Sequence, residues 1–171
     1  MTDAALQDTF PAPACERRDD MGRLVAVSWH ASGLSDGTGG ARWLVAVDGS
    51  ACSLRAVATV AGMVALERGA EVDLVHVQLW LNKEAAETEL PRRGWAATAQ
   101  ARQLLDAASV RWRLHVVMGD GAPEIVAQAD ALGSRGIALG SRGLTVTESL
   151  LLGSVTYKVV HHSRLPVLIV H

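Results

Sequence analysis

Residues 140–154 read GSRGLTVTESLLLGS, with glycines at 140, 143 and 153, a serine after the first and the last, and Arg142 between. Glycine weakens the interior of a regular element, so three of them at these gaps call for a reason. One reason is chemical. A backbone without β-carbons approaches a ligand closely, and the free amides at a helix start attract an anion. Ser154 adds a hydroxyl and Arg142 a positive charge, giving a phosphate cradle built from amides rather than lysine. The other reason is architectural: a loop running into a helix capped by Ser154. The chain has no GxxxxGK[ST], and the segment does not fit GxGxxG, so neither a Walker loop nor a dinucleotide fingerprint applies. Asp48, closing the run VAVD, is a second candidate; it reads either as a ligand contact or as a turn acid capping the next helix.

These residues need elements to hold them. RWLVAVDGS (42–50) is a short apolar run ending in turn residues, the pattern of a strand buried on both faces. Leu54, Val57, Ala61 and Val64 then fall at helical spacing, with Ser50 as the N-cap and Gly69 as the stop. EVDLVHVQ (71–78), WRLHVVMG (112–119), GIALG (136–140) and LPVLIV (165–170) read as further strands. Helices are expected over 96–108, from Pro123 to about Ala131 and over 154–162; residues 79–94, with Pro91 and Gly94, read as loop with some helix. RLVAVSWH (23–30) is a short strand candidate, and its LVAV recurs at 44–47. Residues 1–21 lack period and read as a mobile arm, followed by the linker-like ASGLSDGTGG. Alternating strands and helices imply βαβ units, an open parallel sheet and helices on both faces. Ligands bind such sheets beyond the carboxyl ends of the strands, which singles out the positions after Val47, Val77 and Leu139.

Composition narrows the classes. With 171 residues, 49% of them hydrophobic, the chain can bury one domain's core. A net charge of −2 supplies no basic field for nucleic acid, and Trp29, Trp43, Trp80, Trp95 and Trp112 form no stripe along the chain. No run of about 18 apolar residues predicts a membrane span, and the opening MTDAALQDTF does not read as a secretory signal. Two cysteines without metal-ligand spacing fit a reducing compartment, so a cytoplasmic protein is expected. His161-His162 point about 100° apart on a helix and do not make a metal pair, and His76, between two valines, reads as a packing histidine. No metal site is expected; near the strand ends only Asp120 and Glu148 accompany Asp48. GLSDG (33–37) matches G-x-S-x-G but runs into glycine and then a strand, not from strand to helix, so a nucleophile is not expected there. No catalytic residue stands out, and efficient turnover is not expected.

Gly140-x2-Gly143-x9-Gly153-Ser154 resembles the G-x2-G-x9-G-(S/T) nucleotide motif of the universal stress protein family. VAVDGS (45–50), DLVHV (73–77) and GDGAPEIV (119–126) look like that family's first strand, second strand and third-strand turn, so the resemblance covers about residues 41–171, with 1–40 as an extension. One departure is Arg135-Gly136, where the family usually has an aspartate entering the fourth strand. The resemblance implies a Rossmann-like α/β fold with five parallel strands in order 3-2-1-4-5 and a homodimer, here through the apolar strand 166–170. It implies ATP, with or without Mg²⁺, as ligand of a stress-response sensor. Adenine would lie near Asp48 and Val77, ribose near Leu139 and Gly140, and phosphates near Gly143, Gly153, Ser154 and Val155; Ala46, Val47, Ser50 and Arg142 complete the binding set. Two rivals differ in class: a member acting through protein contacts without nucleotide, and an adenine-nucleotide-using enzyme. The latter's SGGxDS-like phosphate loop is not matched by VDGSACS.

Overall fold

The structure is a computed structural model that describes residues 10–32, 34, 42–144 and 152–171. Among the described residues seven strands, β1 (Cys15–Arg18), β2 (Leu24–His30), β3 (Trp43–Ala46), β4 (Glu71–Gln78), β5 (Arg111–Met118), β6 (Gly136–Gly140) and β7 (Val167–Val170), form one sheet. Their order is β1-β2-β5-β4-β3-β6-β7. From β5 to β7 every pairing is parallel, and these five strands stand in the expected 3-2-1-4-5 order. The two amino-terminal strands pair antiparallel, so the sheet is seven-stranded and mixed, not five-stranded and parallel.

Helices α1 (Ala51–Val64), α2 (Lys83–Ala97) and α3 (Ala99–Ala107) pack one face, and α4 (Gly121–Ala131) and α5 (Ser154–His162) the other. The central strands are buried on both sides, which is why they read as unbroken apolar runs: all five β6 residues are buried, as are Leu44 and Val45 of β3. In α1, Ser50 caps the helix by accepting from Ser53 N at 3.2 Å, and Ala56, Val57, Val60 and Val64 face the sheet.

Two expectations fail here for physical reasons. Residues 83–97 are a continuous helix despite Pro91. Asn82 caps it, and Leu90, Pro91 and Gly94 are buried against the sheet, where a β-carbon on Gly94 would enter the Val116 side chain. Packing of that face outweighs the hydrogen bond proline forgoes, a cost of about 3 kcal/mol. Residues 15–18, expected in a mobile arm, form an antiparallel pair with β2, closed by Asp19, whose Oδ1 accepts from Met21 N and Arg23 N. β2 then satisfies the edge of β5, and Trp29 packs on Trp95 at 5.2 Å between ring centres, with Trp112 beyond. Three of the five tryptophans scattered along the chain thus meet in space. The two LVAV runs enter strands of opposite sense, an antiparallel one outside the parallel block and a central parallel one.

Near the amino ends of β4 and β5 lies a buried charge cluster. Asp73, 1% exposed, accepts from Arg42 Nε at 2.7 Å and lies 3.3 Å from His115 Nε2; Glu71 pairs with Arg111 and Arg113. Burial pushes the Asp73 carboxyl up, and the bonds from His115 and Arg42 outweigh it, holding the group below its usual value. No described helix is long and apolar enough to cross a membrane.

Candidate functional site

The carboxyl ends of β3, β4 and β6 open into a cavity of about 400 Å³, flanked by the first turns of α4 and α5. That volume is in the usual range for a small-molecule site. Ala46, Val47 and Asp48 come from the end of β3, Val77 from β4, and Leu139 and Gly140 from β6; Arg142, Gly143, Gly153, Ser154 and Val155 close the wall. The residues singled out in the sequence therefore converge, with one exception. Ser50 is not in the wall: its hydroxyl is engaged in capping α1. Glu148 and most of GLSDG lie outside the described residues, and Asp120 serves as the N-terminal residue before α4.

Two of the glycines are also required by packing. A β-carbon on Gly140 would come within 2.6 Å of the Cys52 backbone carbon, so this glycine lets α1 start directly against β6. On Gly143 it would fall 2.7 Å from Asp48 Oδ2. Asp48 is itself a clasp: Oδ1 accepts from Ser50 N at 2.9 Å and Oδ2 from Leu144 N at 3.1 Å, fastening the glycine loop to the end of β3. Both glycines thus admit protein atoms, and both also line the cavity. At Gly153 the same test meets only atoms at 3.4 Å or more.

Helix α5 is held from below. Thr156 Oγ1 donates to Gly140 O at 2.9 Å, Gly153 N to Ser141 O at 2.7 Å, and Ser141 N to Val170 O at 2.7 Å. Its amino end carries no side-chain cap and no acid in the first turn, and His161 and His162 stand at its other end. Orphan amides and the positive end of the dipole therefore meet the cavity at Ser154 and Val155. Beside them Arg142 has its Nε buried with no hydrogen-bond partner among the described residues. An anion with several acceptor oxygens would satisfy both features. Among the described residues no three His, Cys, Asp or Glu side chains gather as metal ligands do.

The wall also holds Ser53, Val75, His76, Gln78, Leu79, Gly121, Ile125, Leu144 and Thr156, which the sequence reading did not assign to it. Each is within four residues of an assigned position or in the glycine- and proline-bearing turn after β5, so adjacency was the available signal. His76 is the most informative. Its Nδ1 lies 2.8 Å from Val47 O, and burial holds the imidazole below its ordinary value, against the Val47 contact and the Asp48 charge.

Comparison with known proteins points the same way. The Universal stress protein family model matches residues 41–171. Universal stress protein YxiE of Bacillus subtilis (strain 168) is 30% identical over 149 residues, covering 75% of this chain and 97% of that protein. The solved structure of hypothetical protein MJ0577 superposes with a TM-score of 0.67 at 27% identity, covering 75% of this chain and 94% of its own. A universal stress protein in complex with cAMP superposes with a TM-score of 0.62 at 26% identity, covering 77% and 97%. With its parallel five-strand block, its glycine loop and a family match running from residue 41 to 171, this chain belongs to the universal stress protein family.

Proposed function

We propose that the chain binds an adenine nucleotide, ATP foremost, in the cavity at the carboxyl ends of β3, β4 and β6, and acts as a nucleotide-dependent regulator in the stress response. The observation that carries this reading is the amino end of α5, without a side-chain cap, beside the Nε of Arg142, which has no partner among the described residues. Ser154 and Val155 amides, the Ser154 hydroxyl and Arg142 would hold phosphates, with Gly143 and Gly153 in the same wall. Val47, Val77, Ile125 and Leu139 supply apolar surface for a base and ribose, with Asp48 at the base end and Gly140 below the ribose. The similar protein solved with cAMP supports an adenine nucleotide as ligand class. Mg²⁺ would enter with the triphosphate.

Regulation follows from unequal affinity for two states of the chain or its assembly, without need for turnover; slow hydrolysis is compatible with it. The assembly is a homodimer through the open edge of β7, in the cytoplasm. Calorimetry with ATP tests the reading, with Gly153→Val as control. The variant puts two methyl groups beside the α5 amides, and binding is expected to fall at least tenfold. Absence of heat with the unaltered protein would sink the nucleotide assignment.

A further inference from the structure

The turn between β1 and β2 precedes residues 41–171, the part of the chain that matches the family, yet it touches one rim of the cavity. Gln78 and Leu79 stand in the cavity wall, and the chain then runs through Trp80 and Leu81 to Asn82, the cap of α2. On its inner side this segment is tied by Gly119 N donating to Gln78 O at 2.9 Å and Leu81 N to Met118 Sδ at 3.4 Å. On its outer side it meets the hairpin. The Arg23 guanidinium lies over the Trp80 ring, 5.0 Å from its centre, and reaches Leu81 O at 3.5 Å, while Lys83 Nζ donates to Met21 O at 2.9 Å. Asp19 orients that guanidinium: Oδ1 accepts from Arg23 N at 2.9 Å and Oδ2 from Arg23 Nε at 3.0 Å. Leu79 and Trp80 are 72% and 58% exposed, so burial does little to fix them. Segments with few buried contacts open locally at small cost.

Resting on the nucleotide reading above, we propose that Arg23 is a positioning residue for the nucleotide site. It fixes Trp80 and Leu81, and through them the rim at Gln78 and Leu79, so the amino-terminal extension sets the affinity of a cavity it does not line. A ligand's apparent affinity falls by the fraction of molecules whose site is competent. Arg23 raises that fraction without touching the ligand. A guanidinium can stack on an indole and donate in its own plane at once, which suits it to hold a ring and a carbonyl together. The hairpin makes a second contact with α2 that supplies a control: Arg18 Nη2 donates to Glu87 Oε2 at 3.0 Å, beyond the first turn of the helix and away from the rim.

The test measures AMP binding by calorimetry to the full chain, to Arg23→Met and to Arg18→Met, each variant shown to be folded by circular dichroism. Arg23→Met is expected to bind AMP about threefold more weakly, and Arg18→Met as tightly as the unaltered chain. Equal AMP affinity in Arg23→Met and the unaltered chain overturns the role of Arg23 while leaving nucleotide binding intact. An equal loss in Arg18→Met overturns it as well, because the hairpin as a whole would then carry the effect. If AMP does not bind the unaltered chain, the functional reading fails and this inference with it. Fluorine spectra of protein carrying 5-fluorotryptophan add a readout that a merely structural role would not move. The Trp80 resonance, assigned by its loss in Trp80→Phe, should leave its usual position in Arg23→Met. Saturating AMP should then bring it part of the way back, since ligand and arginine stabilise the same rim. A Trp80 resonance indifferent to AMP in that variant refutes the coupling.

Discussion

Gly140, Gly143 and Asp48 show how a ligand motif can be written by internal packing. The loop must leave β6, pass over the start of α1 and lie against the end of β3, and each glycine removes a β-carbon where two backbones or a backbone and a carboxylate meet. Gly140→Ala is therefore expected to cost stability, not merely affinity. Its new methyl would stand 2.6 Å from Cys52 Cβ and 2.8 Å from Ser53 N, atoms of an anchored helix start that cannot rotate away. Overpacking of this kind costs about 1–3 kcal/mol. A urea midpoint unchanged by Gly140→Ala would show that the α1–β6 approach is looser than described. The motif's spacing located the cavity from sequence because the same turn geometry that packs the loop also leaves the α5 amides uncapped. What each glycine touches was not legible, since Cys52 and Asp48 lie about ninety residues away along the chain. The partner of His76 was not legible either: a valine-flanked histidine looks like packing, and the Val47 carbonyl that its Nδ1 meets belongs to another strand.

Elements differ in how openly the chain declares them. β3 and β6 are unbroken apolar runs because helices cover both faces, and burial of that kind is visible in composition alone. Helix α2 was hidden by Pro91 and Gly94, residues whose local preference is overruled by contact with β5. Strand β1, CERR, is exposed at every position and carries no hydrophobic signal; only its pairing with β2 makes it a strand. The charge cluster joining β4 and β5 to Arg42 was equally silent, because ion pairs across strands leave no periodicity. Its energetics are testable. Arg42→Met removes the 2.7 Å partner of a carboxylate that is 1% exposed, and breaking a buried pair in this way costs about 3–5 kcal/mol. Acid response should change with it. In the unaltered protein the folded state holds Asp73 below its usual value, so that stabilisation is complete above about pH 4 and disappears as pH falls through the folded value. Without Arg42 the burial penalty is less opposed, the folded value rises, and the acid unfolding midpoint should move to higher pH. An acid titration followed by circular dichroism that superposes for the two proteins would rule out the cluster as a stabilising unit.

At the scale of the whole molecule the two ends of the sheet are treated differently. The β5 edge, which would end the parallel block, is covered by β2, and the outermost strand β1 is short, exposed and charged, features that discourage pairing with another chain. The opposite edge is β7, VLIV, with no such protection in its sequence. Its hydrogen-bonding phase is fixed by Ile137 N donating to Pro166 O and Ser141 N to Val170 O, so the even-numbered residues face β6, while Val167 and Ile169 turn their N–H and C=O outwards. Side chains separate the same residues: Leu168 and Val170 pack into the core beneath α1, so a charge at Leu168 would damage the fold as well as any interface. Ile169→Pro is the cleaner test of the proposed homodimer. Proline at an edge position gives up only the outward N–H and is tolerated there, so thermal stability of the monomer should be little altered while pairing across the edge is blocked. Sedimentation is expected to give a dimer for the unaltered chain and a monomer for Ile169→Pro. Identical sedimentation, with the variant shown to be folded, would place the contact elsewhere or remove it, and the proposed coupling of nucleotide to assembly would then have to act within a single chain.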